Sequence, residues 1–432
     1  MQSKFLKLIG FLLPFEMLLS YVAHGIFKPV LGEFYRILFN GVWGAILVVI
    51  ILSFSRFKKT YIGFFYISAV FILGGIWEYV VTILLGGLGF EAISQFFCGF
   101  FFPGVLFLTL INLNQHQKKI FFKYWYVGTI SLIIFATLFS VYNYSAFPEW
   151  FRTRDLAFRL ISFRYAYDSD TNSNPAIAIL GNFNKASNYL LIMLLFSVRL
   201  IPKDQNAKAI LIVFWSVATI ALVLMFSRLV LLLLPFVFYF SGIRERFSGV
   251  LKNRYFYLFC FFLIGYFIFE ASDLVKPTFE YLVYSKFNDN SEDLGVLGTG
   301  LYRFEDWGNQ GKKFRNIGIW LHGMGVGNYG LSLGSKDLGT HNLFLDHFFA
   351  SGFIVPLIIF LLWCVGFLKA IILKDTTLIL GFIIIMALFF REYSFSYLYV
   401  TSHGGLLFML LLAIQYLGSP SGDPRKFGKD NF

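Results

Sequence analysis

Long apolar runs separated by polar gaps, most of them short, make up this chain as far as a polar tail after Leu417. A helix rises about 1.5 Å per residue and a bilayer core is about 30 Å thick, so a spanning helix needs about 20 mostly apolar residues. On that criterion the pattern predicts helices near 5 to 22, 37 to 55, 61 to 86, 91 to 112 and 124 to 143. A second set is predicted near 185 to 201, 208 to 226, 228 to 242, 255 to 270, 342 to 368, 376 to 391 and 398 to 417. The fold class expected is all-α: a polytopic membrane protein of about twelve transmembrane helices, forming one integral membrane domain over 1–432. Two connecting stretches, about 144 to 184 and about 271 to 340, are too long to be simple turns. Both carry Trp, Tyr, Phe and Gly among their charges, which argues against a purely solvated linker.

Composition supports the membrane reading. The chain is 58% hydrophobic and 14% charged, whereas a soluble domain carries about a quarter charged residues. Its 57 Phe residues are more apolar surface than one soluble core could enclose. Of the three cysteines, Cys98, Cys260 and Cys364, each lies in an apolar run, and their spacing offers neither a disulfide framework nor a zinc site. Lys4 and Lys7 before an apolar run resemble a signal peptide, but no small-residue cleavage site follows, so this segment is read as the first anchor.

The net charge of +12 would suit nucleic acid, but its placement argues against such a partner. The basic residues fall at the N-terminus, in alternate gaps, and in the tail: Lys4 and Lys7; Arg56, Lys58 and Lys59; Lys118, Lys119 and Lys123; Arg199, Lys203 and Lys208; Arg244, Arg246, Lys252 and Arg254; Lys369 and Lys374; Arg425, Lys426 and Lys429. With five acidic residues among them that side carries +15, and everything else sums to −3. Cytoplasmic loops concentrate Lys and Arg, so both termini are expected inside and the two long loops on the opposite face.

Arg228 is the most informative single position. It joins two apolar segments at Ser227-Arg228, and the second is only about 14 residues, or about 21 Å. That length draws the guanidinium below the membrane surface, where an Arg costs at least about 2.5 kcal/mol. It is either a snorkelling interfacial residue or part of an anion site. In the second loop, Tyr302, Arg303 and Trp307 fall within six residues, followed by Lys312, Lys313, Arg315 and a glycine run from Gly323 to Gly330. Aromatic faces stack on sugar rings and Arg forks onto phosphate oxygens, so the cluster suits a sugar diphosphate, against plain surface packing. The glycine run contains a formal GxGxxG at Gly325, Gly327 and Gly330, but no βαβ strand precedes it, and glycine here serves a tight turn or close backbone approach.

Thr340 is read as a helix N-cap, which puts His341 in the first turn, where the helix dipole disfavours imidazolium and keeps a proton acceptor. His347, six residues on, lacks the spacing of a metal pair. A capping or core role for His341 is the plainer alternative. Asp168-Ser169-Asp170 matches a DxD motif, but on the wrong side of the membrane for nucleotide sugars, and no metal role is assigned. The same loop offers Arg152, Arg154, Arg159 and Arg164, for lipid headgroups or a second anionic ligand. Glu16 and Glu78 lie inside apolar helices with no partner apparent, and His24, His116, His322 and His403 form no pattern.

In order and spacing these features resemble the O-antigen ligase and O-antigen polymerase superfamily of bacterial envelope glycosyltransferases. The matching pieces are Ser227-Arg228, Arg303 followed by Trp307, Gly323-Met324-Gly325-Val326-Gly327, and His341-Asn342-Leu343-Phe344-Leu345 leading to Gly352. Gly181-Asn182-Phe183-Asn184 is a weaker match that lacks the usual Asn-Pro-Asn, and Gly-Leu-Tyr before Arg303 departs from the common small residue and Gly.

The resemblance implies a GT-C-like fold with periplasmic loops in the bacterial inner membrane. It also implies metal-independent, inverting transfer of an oligosaccharide from undecaprenyl diphosphate to an acceptor hydroxyl, without a cofactor. Arg228 and Arg303 would meet the leaving diphosphate, and His341 would take the acceptor's proton. Tyr302, Trp307, Asn342, Arg159 and Arg164 would bind substrate. The expected partners are the lipid-linked glycan donor, an acceptor on a second lipid carrier (polymerase) or on lipid A core (ligase), membrane lipids, and a chain-length regulator protein. The four loop arginines favour the polymerase. A transporter or flippase is the rival class, but transporters usually bind at the midplane through broken helices, whereas the polar and aromatic residues here gather in loops.

Overall fold

Helix follows helix through the computed structural model, which describes residues 2–15, 42, 45–46, 62–87, 92–93, 95–144, 183–201, 205–225, 228–246, 317–326, 342–391 and 403–417. Among the described residues the protein is all-helical, without strands. In chain order the helices are α1 (Gln2–Leu12, closed by a 3₁₀ turn over Leu13–Phe15), α2 (Ile62–Leu84), a π-helical segment (Phe96–Phe101) and α3 (Phe102–Asn112). There follow α4 (Gln115–Tyr144), α5 (Phe183–Leu200), α6 (Gln205–Met225) and α7 (Arg228–Phe240), with a helical turn over Ile243–Arg246. The last are α8 (Ile317–His322), α9 (Leu343–Ser351), α10 (Ile354–Ile372), α11 (Thr376–Arg391) and α12 (His403–Leu417).

The expected boundaries at 61 to 86, 185 to 201, 208 to 226, 228 to 242 and 376 to 391 agree with observed helices to within a few residues. Three elements differ for identifiable reasons. The helix expected over 124 to 143 begins at Gln115, because Asn114 and Gln117 cap it reciprocally: Gln117 N donates to Asn114 Oδ1 and Asn114 N to Gln117 Oε1, each at 2.9 Å. The run at 91 to 112 contains a π-helical segment, in which Phe102 N reaches back to Phe97 O, with Pro103, which has no N–H to give, next in line. The long helix expected over 342 to 368 is two, α9 and α10, because Gly352 at φ +73° ends the first. The helix expected at 255 to 270, most of that at 37 to 55, and most of both long loops lie outside the described residues.

The chain forms two compact units: Met1–Ile9 with Glu16–Phe121 and Asp306–Phe432, and Gly10–Phe15 with Phe122–Glu305. In the first, α2 packs on the π-helical segment, α3, α9 and α10, while α12 lies along α3 and α11. Ser68 Oγ ties α2 to α3 by donating to Gly104 O at 2.9 Å. In the second, α5 is the central helix, buried from Tyr189 to Phe196 and flanked by α6 and α7. Its contacts there are polar as well as apolar: Tyr126 Oη donates to Met193 O at 2.8 Å, and Trp215 Nε1 to Ser197 Oγ at 2.8 Å.

Two helices among the described residues are long and apolar enough to cross a membrane, Gly63–Leu84 within α2 and Ile354–Ile372, which is α10. Each turns large apolar side chains outward, among them Phe65, Leu73 and Ile83 on α2 and Leu361, Val365 and Leu368 on α10.

Candidate functional site

Glu78 sits in the last third of α2, buried, where an isolated carboxylate would cost several kcal/mol to desolvate. The structure supplies the partner that the linear pattern left unnamed. His347 Nδ1 of α9 lies 2.6 Å from Glu78 Oε2, with the imidazole fully buried and the carboxylate 3% exposed. An ionised carboxylate can only accept, so it takes this bond from an Nδ1–H. Gln95, at the head of the π-helical segment, donates through Nε2 to the other oxygen, Oε1. Ser351 Oγ lies 3.4 Å from Oε2 and donates to His347 O at 2.8 Å. Trp77 Nε1 donates to Ser351 O at 3.0 Å, and the Phe100 ring meets the imidazole edge-on at 5.5 Å. Two other elements, α9 and the π-helical segment, thus converge on one carboxylate of α2.

Helix α9 is held at both ends as well. Asn342 is its N-cap, with Oδ1 accepting from Phe344 N at 3.0 Å and Leu345 N at 3.2 Å. The expectation that Thr340 caps the helix and that His341 lies in its first turn is therefore corrected: the helix begins at Leu343. Asn342 carries its own acceptor to the second and third helical N–H groups, which a more distant residue reaches less well. At the other end the glycine run supplies donors to the terminal carbonyls that a helix leaves unmatched. Met324 N donates to Phe349 O at 2.6 Å and Gly325 N to Ala350 O at 3.0 Å, while Phe353 N bonds Trp320 O at 3.0 Å. Val326 N continues to Thr82 Oγ1 at 3.0 Å, and Thr82 Oγ1 donates to Glu78 O at 2.7 Å. Within the described residues, the close approach expected of these glycines is made to the protein's own backbone.

Gly323 (φ +72°) and Gly352 (φ +73°) are required by this clasp: a Cβ on Gly323 would stand 2.5 Å from Ser351 N, and one on Gly352 2.5 Å from Leu321 O. The obstacle is backbone in each case and cannot swing aside. Gly323→Ala is expected to lose at least about 2 kcal/mol from the left-handed strain and the clash together. Gly63→Ala, whose Cβ would meet nothing within 4 Å, should be neutral or slightly stabilising. Thermal unfolding of the two purified variants in detergent checks the contrast.

Of the residues selected from the sequence, Asn342 is buried at the head of α9 in the first unit, and Arg228 is the first residue of α7 in the second. Phe183 and Asn184 open α5. Ser227, Tyr302, Arg303, Trp307, His341, Arg159, Arg164 and the Asp168-Ser169-Asp170 triplet lie outside the described residues. Among the described residues no group of three or more His, Cys, Asp and Glu side chains is arranged to hold a metal. Sequence reasoning missed the pairing of Glu78 with His347. The available signal was that each is an ionisable residue set in an apolar run, and such residues in the same protein tend to pair. Their separation of 269 positions hid the match. No family model matches the chain, and no curated protein matches it either.

Proposed function

We propose that the chain is a bacterial inner-membrane glycosyltransferase of GT-C-like architecture, with about twelve spanning helices and both termini in the cytoplasm. In this reading it moves an oligosaccharide from undecaprenyl diphosphate to an acceptor hydroxyl on the periplasmic side. The observation that carries it is the ordered set Ser227-Arg228, Arg303 with Trp307, Gly323 to Gly327, and His341 to Leu345 with Gly352. The local structure supports it in three ways. Arg228 heads a helix of 13 residues, about 20 Å long and short of a bilayer core. The glycine run and α9 with its caps Asn342 and Gly352, which hold two of the motifs, are bonded to each other. The outward apolar faces of α2 and α10 suit lipid contact.

The chemistry balances with the chain's own residues. The acceptor oxygen attacks the anomeric carbon from the face opposite the diphosphate, the carbon–oxygen bond to the leaving group breaks, and configuration inverts. The electron pair departs on the lipid diphosphate, whose added charge Arg228 and Arg303 offset. The acceptor's proton passes to His341. Tyr302 and Trp307 stack on sugar, and Asn342 fixes the start of the helix that follows the base. The arginines at 152, 154, 159 and 164 favour a second lipid diphosphate as acceptor, hence a polymerase, with the lipid A core ligase as the alternative.

A proton-coupled transporter or flippase is the second reading, favoured by Glu78, which is buried in a span-length helix and paired with His347. Purified protein in detergent separates the two. Transfer of glycan between lipid-linked substrates, with release of undecaprenyl diphosphate, is expected, and a transporter cannot perform it without a compartment. Surface polysaccharide of a deletion strain then separates polymerase from ligase: single-repeat glycan for the first, none attached for the second.

A further inference from the structure

We propose that α8 is an interfacial anchor: Trp320, Leu321 and Phe353 form one apolar patch seated at the boundary between lipid headgroups and acyl chains, on the membrane face opposite the basic residues. This rests on the membrane-spanning part of the reading above and not on its transfer chemistry. All three side chains are large, apolar and exposed, at 47%, 55% and 42%. They are neighbours, since Phe353 N bonds Trp320 O at 3.0 Å and the backbone of Gly352 passes close to Leu321 O. The other side of α8 is packed: Ile319 and Met324 lie against Phe348 and Phe349, and the Trp320 ring meets Phe348 edge-on at 5.2 Å. The glycine clasp thus holds the patch at a fixed place on the surface. From Ile317 to Val326 there is no Asp, Glu, Lys or Arg, so no charge has to be drawn out of water when this stretch meets lipid.

The two span-length helices fix its level. Helix α10 begins at Ile354, next to the patch, and α2 ends beside the glycine run, where Thr82 Oγ1 accepts from Val326 N at 3.0 Å. Basic residues mark the far ends of both: Arg56, Lys58 and Lys59 precede α2 in the sequence, while Lys369 lies in the last turn of α10 and Lys374 just past it. The 19 residues of α10 rise about 28 Å, close to a bilayer core of about 30 Å. That separation puts α8 at the boundary opposite the basic side. Tryptophan, apolar in body with a polar N–H, is the side chain that such boundaries concentrate. Lipid is the occupant that fits, because the patch continues the outward face of α10. Phe353, Leu357, Phe360 and Leu361 recur at helical spacing and all four are exposed.

Spin labelling of the full-length protein in vesicles of phosphatidylethanolamine and phosphatidylglycerol tests this. A nitroxide is placed at Trp320→Cys, Leu321→Cys or Val365→Cys, with Cys98, Cys260 and Cys364 replaced by Ala. Its collisions with oxygen and with a water-soluble nickel chelate are then measured. Positions 320 and 321 are expected to favour oxygen, at a depth of about 5–10 Å below the phosphates. Position 365, about 18 Å along α10 from Phe353, is expected deeper still. Nickel favoured at 320 and 321, with oxygen favoured at 365, overturns the proposal and leaves the spanning helices standing. Nickel favoured at all three positions sinks the membrane reading itself. Few collisions with either reagent at 320 and 321 mean that protein covers the patch, which also overturns the proposal, and dipolar coupling between labels then identifies a second copy of the chain. Leu321→Cys carries the test if Trp320→Cys, which gives up the contact with Phe348, does not fold.

Discussion

Glycan transfer should fall by about 10²- to 10⁴-fold when His341 is replaced by Ala, the range associated with losing a positioned general base. On the proposed transferase reading, Arg228→Ala and Arg303→Ala should each lose about 10²- to 10³-fold, because each would remove a cation that meets the charge growing as the lipid diphosphate departs. The losses should appear in kcat more than in donor KM, since an interaction stronger in the transition state than in the bound substrate accelerates the chemical step. Arg228→Lys should recover only part of the rate. It keeps the charge and loses the planar fork that meets two phosphate oxygens at once. Release of undecaprenyl diphosphate in a single turnover by purified variants measures all four, with abundance in the membrane fraction as the control for folding. Normal turnover in any variant removes that residue from the mechanism.

The second large effect is on stability and needs no substrate. His347→Ala strips one partner from a buried carboxylate and leaves it only the bonds from Gln95 and Ser351. Breaking one side of such a pair costs about 3–5 kcal/mol, mostly the penalty of stranding the survivor. Replacing both partners with apolar residues of similar size should return much of that loss, because nothing charged then remains to be desolvated. The double change Glu78→Met with His347→Leu is therefore expected to be more stable than His347→Ala alone, a strongly non-additive result in a double-mutant cycle. Unfolding of the detergent-solubilised variants by heat or denaturant reads it. A loss under about 1 kcal/mol in His347→Ala would show that α9 is held mainly by its two ends.

The helices that matched expectation did so because their signal is local. Residues 62–84, 205–225 and 376–391 are predominantly apolar stretches, and a run of that kind buries its backbone hydrogen bonds best as helix. The start of α4 was legible in principle too, since the Asn114 and Gln117 capping box is written in adjacent residues, but apolar content alone places the boundary too late. The two helices seen where one was expected over 342 to 368 mark the limit of this kind of reading. Hydropathy does not change at Gly352. What ends α9 there is a left-handed backbone angle and a close approach to Leu321 O that only glycine permits.

The linear pattern by itself determined that this chain is helical and apolar along most of its length, where its charge concentrates, and which residues are candidates for handling a diphosphate and a proton. Tertiary structure alone decided what Glu78 and the glycine run are for: one is hydrogen-bonded by an imidazole 269 positions away, and the other clasps the end of a neighbouring helix. The reason is range. Helix formation depends on residues within a turn or two of one another, whereas the partner of a buried charge is whichever group the packing of several helices carries to within hydrogen-bonding distance.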